Sequence, residues 1–176
     1  MRHDPPRQRE RERFRAAEAR FTEVDPAVRN ELVIAYLDGE ASAVWVLADF
    51  AVYAELPAIK PASLDQRVRY VLALLPPTLA HTLACDFVDH LPELAGIPAP
   101  KRGWLEGTVS DTGLAQARAR VRPRSWAPVL SSSPAPFVAQ RVCKLVQRTV
   151  GHPMSADWRE EVAWQVEHVR TTLTGG

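Results

Sequence analysis

Three side chains able to handle metals and protons stand one helical turn apart: His81, Cys85 and Asp89, at i, i+4 and i+8. At 100° per residue they form a ladder down one helix face, away from Leu79, Leu83 and Phe87. A histidine and a cysteine one turn apart can share zinc, but a zinc site needs three or four ligands. The others would have to come from His152, Cys143 or His168 through folding alone, and no paired-cysteine motif is present. No metal ligand is therefore assigned; a buried cysteine and a surface histidine account for the pattern equally well. Asp86 and His90 make a second i, i+4 pair, which could orient an imidazole for proton transfer. No serine or cysteine nucleophile stands beside it, and pairing along a helix is the commoner use of that spacing. Ser131-Ser132-Ser133 has linker composition, and Gly96, Gly103, Gly107 and Gly113 match no phosphate-cradling spacing. These residues assign no catalytic group and no cofactor. The expectation is a protein that is not an enzyme.

Cations offer the stronger pattern. Arg118, Arg120, Arg122 and Arg124 alternate with small or apolar residues, and Lys101 and Arg102 lie nearby in sequence. Arg141, Lys144 and Arg148, at i, i+3 and i+7, form a second stripe opposite Val138, Val142, Leu145 and Val146. Rows of this kind can neutralise successive phosphates, giving salt-dependent and largely sequence-independent binding. Trp104 and Trp126 flank the first row; stacking on bases is one use, anchoring a core the commoner one.

The net charge of +1 conceals segregation. Residues 21–66 carry eight acids against Arg29 and Lys60, whereas residues 101–150 carry nine bases against Glu106 and Asp111. Such asymmetry fits an anionic partner for the basic part, or acidic and basic parts facing each other within the fold or across a dimer. Hydrophobic residues at 46% and charged residues at 24% exclude wholesale disorder, and two cysteines exclude a disulfide framework. The start lacks an apolar leader, and the most hydrophobic stretch, 41–54, contains Asp49 and is too short to cross a bilayer. A cytoplasmic protein with no membrane partner is expected.

The elements that must position these side chains are mainly helical. A charged arm over 1–24 carries the narrow stripe Phe14, Ala17, Phe21 and Val24, suited to docking or to pairing with a second copy. Asp25-Pro26 opens a helix that runs to about Asp38 and stops at Gly39. A buried helix is expected over 40–56. Ser63 and Gln66 form a capping box for a helix over 64–75, and another follows over 78–91. Residues 92–103 look like a proline-rich connector. Over about 104–122 a β-hairpin is expected, with Ser110-Asp111-Thr112-Gly113 as its turn and Arg118, Arg120 and Arg122 lined up along one strand face. The competing helix places Leu114, Ala117 and Val121 on one side. A linker over 123–136 then leads to a helix ending at Gly151, and Ser155 caps a last helix to about Leu173.

The fold expected is mainly α: the 1–24 arm, then a single helical domain over 25–176, about six to seven helices with the hairpin inserted. The function expected is a non-enzymatic nucleic-acid-binding accessory or regulatory protein. Its phosphate contacts would be Lys101, Arg102, Arg118, Arg120, Arg122, Arg124, Arg141, Lys144 and Arg148. The alternative is a helical protein–protein interaction module, an adaptor, inhibitor or immunity-type protein, with a homodimer through the N-terminal helix as one form. The first reading requires those cations to lie outside, unanswered by the chain's own carboxylates.

Overall fold

The structure is a computed structural model and describes residues 25–40 and 63–175. Among them there is no strand, and seven α-helices alternate with short connections and two 3₁₀ segments. The expected arm over 1–24, its dimerising stripe and nearly all of the helix expected over 40–56 lie outside the described residues.

Helix α1 (Pro26–Leu37) begins where Asp25 Oδ1 accepts the Ala27 N–H at 2.9 Å and ends before Gly39, whose φ of +84° suits glycine. Helix α2 (Leu64–Leu72) opens with the Ser63 N–H donating to Gln66 Oε1 at 3.2 Å and ends three residues earlier than expected. Helix α3 (Pro77–Asp89) is buried on almost every side, with Ala80, His81, Leu83, Ala84, Cys85, Phe87 and Val88 all inside. It makes its most extensive packing with α6 (Ala135–Val150). Helix α7 (Ala156–Thr174), capped by Ser155 Oγ accepting the Trp158 N–H at 3.2 Å, packs on α1, α2 and α6. One apolar cluster runs through these helices, from Val33 and Leu37 through Val71, Leu83 and Phe87 to Val142, Val146, Val169 and Leu173.

Two expectations are corrected. The proline-rich connector contains α4 (Ala99–Leu105), because Pro100 falls in the first turn, where a missing N–H costs nothing. The β-hairpin over 104–122 does not form: Trp104 and Leu105 close α4, and residues 111–120 are helix α5 (Asp111–Arg120). Ser110, expected in a hairpin turn, is instead an N-cap that accepts the Gly113 N–H at 3.1 Å, with Asp111 favourably placed in the first turn. Leu114, Ala115, Gln116, Ala117, Arg118, Ala119 and Arg120 include no β-branched residue and are strong helix formers. Leu114 is buried and Ala117 and Val121 half-buried on one side, the face of the competing helix. No helix among the described residues is long and apolar enough to cross a membrane.

Candidate functional site

The densest polar arrangement joins three helices. Asp86, Asp89 and His90 end α3, Arg102 lies on α4, and Glu161, Trp164 and His168 recur at i, i+3 and i+7 along α7. Asp86 and His90 do not pair with each other as their spacing suggests. Asp86 Oδ2 instead meets His168 Nε2 at 2.9 Å, and His90 Nδ1 meets Glu161 Oε2 at 3.0 Å. Between the two imidazoles lies Trp164, stacked on His90 at 3.5 Å and 3° and on His168 at 4.9 Å and 8°. Glu161 continues the network inward: its Oε1 accepts from Gln165 Nε2 at 3.0 Å, and Gln165 Oε1 accepts from Gln147 Nε2 at 2.9 Å. Burial pushes the Glu161 carboxyl up, against the opposing pull of His90.

Arg102 closes the other side. Its guanidinium donates to Asp86 Oδ1 at 2.7 Å and to Asp89 Oδ2 at 2.7 and 3.2 Å. Burial works against its charge, but the hydrogen bonds to Asp89 and Asp86 prevail and hold its pKa above the ordinary value. Arg102 is thus committed to the chain's own carboxylates. Two carboxylate-oriented imidazoles could relay protons, yet no serine, threonine or cysteine side chain is bonded to either among the described residues.

Lys101 was expected at the surface and is fully buried. Its Nζ donates to the Ser131 carbonyl at 2.6 Å and sits 4.0 Å above the Trp104 ring. Burial lowers its pKa to about 8. His81 meets the same indole edge-on at 5.9 Å, is only 5% exposed, and its Nδ1 has no hydrogen-bond partner among the described residues. Burial, and then the Lys101 charge, lower the His81 pKa to about 4, while burial raises the Cys85 thiol to about 11. The His81, Cys85 and Asp89 ladder therefore starts in the core and only Asp89 reaches the surface. Among the described residues no three His, Cys, Asp or Glu side chains are grouped to hold a metal ion. Trp126 is buried, and the half-buried Trp104 donates to Asp111 Oδ1 at 2.7 Å, so both act as anchors.

The remaining cations of the expected contact set divide in two. Arg122 and Arg124 are turned onto the carbonyl end of α5: Arg124 Nη1 donates to the Arg118 and Ala119 carbonyls at 2.7 and 2.8 Å, and Arg122 Nη1 to the Val121 carbonyl at 2.9 Å. Arg118, Arg120, Arg141, Lys144 and Arg148 are exposed and meet no carboxylate among the described residues. The reason is local: α6 contains no acid, and α5 contains only Asp111 in its first turn. On α6 the inner side, with Val138, Val142 and Val146 buried, holds the three bases outward.

The pairing Arg102–Asp86–His168 and the roles of Glu161 and Trp164 were not foreseen. The i, i+3, i+7 recurrence of Glu161, Trp164 and His168 was the signal available; their partners depend on how α7 docks against α3. Compared with protein-family models, with curated proteins and with solved structures, the chain matches none.

Proposed function

We propose that this chain is a non-enzymatic nucleic-acid-binding accessory or regulatory protein that contacts phosphates through the outer face of α6, with Arg118 and Arg120 of α5 contributing. One observation carries this reading. Arg69, Arg102 and Arg170 each meet a carboxylate, whereas Arg141, Lys144 and Arg148 form an exposed stripe that meets none among the described residues. Lys101 and Arg102 leave the contact set, one buried and the other ion-paired; Arg122 and Arg124 support α5. Seven residues of helix rise about 10 Å, so the stripe follows a short run of a strand's backbone and recognises charge rather than sequence.

The test is a salt-titrated anisotropy measurement on short duplex and single-stranded DNA and RNA. Five neutralised phosphates give a slope of log K against log salt of about −4.5 on duplex DNA. Replacing Arg141, Lys144 and Arg148 together by alanine lowers the size of that slope by about 2.7. Absence of affinity at ~50 mM salt, or a slope unchanged in the triple variant, removes the reading.

A further inference from the structure

A cleft of ≈ 290 Å³ lies between α5 and the 3₁₀ segment Arg124–Leu130. Its lining includes Arg118 and Arg124, Ser132, Asp111, and the apolar side chains of Leu114 and Leu130. We propose that this cleft binds a phosphomonoester whose carbon skeleton bears hydroxyl groups, either a small phosphorylated molecule or the phosphorylated end of a nucleic-acid strand.

The cleft is polarised along α5. Arg118 stands seven residues beyond Asp111, about 10 Å along the helix axis. Arg124 is anchored at the same end, since its Nη1 holds the Arg118 and Ala119 carbonyls. That bond neutralises the negative end of the helix and fixes the guanidinium, leaving its Nε and Nη2 hydrogens to donate elsewhere. Arg118 is exposed and its guanidinium meets no carboxylate among the described residues. Two guanidiniums match a phosphomonoester, which carries about −1.5 to −2 at pH 7, and their planar forks suit its oxygens. The Ser132 hydroxyl adds a donor.

At the far end Asp111 already accepts from the Trp104 indole through Oδ1, which leaves Oδ2 to accept from a ligand. A carboxylate there repels a second anionic group and accepts from hydroxyls, which selects one phosphate with a hydroxylated body over a polyphosphate. Leu114 and Leu130 supply an apolar wall between the two ends. A phosphate inside a strand is a diester with a single charge, whereas a terminal monoester carries about −1.5 to −2, the better match to two guanidiniums.

For a strand end the inference rests on the proposed function; for a free molecule it stands alone. Calorimetry compares inorganic phosphate, a nucleoside 5′-monophosphate and the unphosphorylated nucleoside. Anisotropy compares 5′-phosphorylated and 5′-hydroxyl single strands of one sequence. The expected result is a phosphate-dependent gain of about tenfold or more in at least one comparison, abolished by Arg118→Met. Arg118 is exposed, so that variant is expected to fold, and Arg141→Ala/Lys144→Ala/Arg148→Ala should weaken both strands while keeping their ratio. A gain for the mononucleotide alone assigns the cleft to a small molecule, and a gain for the strand assigns it to a terminus. No phosphate-dependent gain in either comparison, or a gain that survives Arg118→Met, overturns the inference. Failure of both strands to bind overturns the proposed function only, and the mononucleotide comparison then decides the cleft.

Discussion

Replacing His81 should flatten the acid end of the protein's stability profile. The imidazole sits against Trp104 in the core, with Nδ1 unpartnered among the described residues and the Lys101 ammonium nearby. Its pKa falls from 6.5 to about 4 on folding, so the unfolded chain binds more protons than the folded one throughout that window. A depressed folded value contributes stability that is complete above pH 6.5 and is lost as pH falls through 4. Two and a half pKa units correspond to about 3 kcal/mol, a large share of a typical net stability of about 5–15 kcal/mol. His81→Phe keeps an edge-on ring and His81→Leu avoids overpacking; neither titrates. Urea denaturation at several pH values between 7 and 4 gives the difference in unfolding free energy between each variant and the wild type. That difference should move in the variants' favour by up to about 3 kcal/mol as the pH drops, other acid effects cancelling. Removing a buried unpartnered nitrogen should also leave the variants little weakened at pH 7. Parallel curves for wild type and both variants would show that His81 is protonated in the folded state without cost, and the burial argument would fail.

Lys101 supplies the alkaline counterpart: its folded pKa of about 8 lies below 10.5, so wild-type stability should rise by up to about 3 kcal/mol between those values. Lys101→Met should lack that rise in the same denaturation series. Glu161→Ala strands both His90 and Gln165 and should cost about 2–4 kcal/mol, whereas Glu161→Gln keeps an acceptor and should cost less than half as much by urea midpoint. For α5, Ser110→Ala should cost about 1 kcal/mol through loss of the cap. Ala115→Gly should likewise cost about 1 kcal/mol and Ala115→Val a smaller amount; stabilisation by valine would be the signature of a strand.

Local signals carried the sequence reading well where they were self-contained. The caps at Asp25 and Ser155 and the Ser63–Gln66 box mark the starts of α1, α7 and α2, because each needs only side chain and backbone within four residues. Gly39 marks a stop for the same reason. Residues 111–120 misled because alanine assigns no face: Ala115, Ala117 and Ala119 fit a strand's apolar side as readily as a helix surface, and only Leu114 is buried. The alternating arginines then looked like a row. In the helix, Arg118 and Arg120 occupy the last turn, and Arg122 and Arg124 reach back to its carbonyls, so helix-end electrostatics account for their clustering. Helix α4 was hidden by prolines that are compatible with a helix start. The Glu161–His90 and Asp86–His168 pairs were illegible for another reason, since both join α3 to α7 across about 70 to 80 residues.

What separates the α6 stripe from Arg102, Arg170 and Arg124 is that stability alone does not require it. Arg102 holds two carboxylates, Arg170 of α7 ties down Asp38 at the end of α1, and Arg124 closes α5; each has a structural task. Arg141 and Lys144 have exposed, mid-helix positions with no acid on their own helix to offset their mutual repulsion at i, i+3. Only Arg148, in the last turn, gains from the helix dipole, by about 0.3–1 kcal/mol. Folding alone would tolerate neutral residues at all three, with changes of about 0.5 kcal/mol each. The triple alanine variant should therefore keep the wild-type unfolding free energy to within about 1.5 kcal/mol while losing most of its salt-dependent affinity for nucleic acid. A large loss of stability would instead mean that the stripe is engaged by the chain itself, and its availability to an external anion would no longer follow.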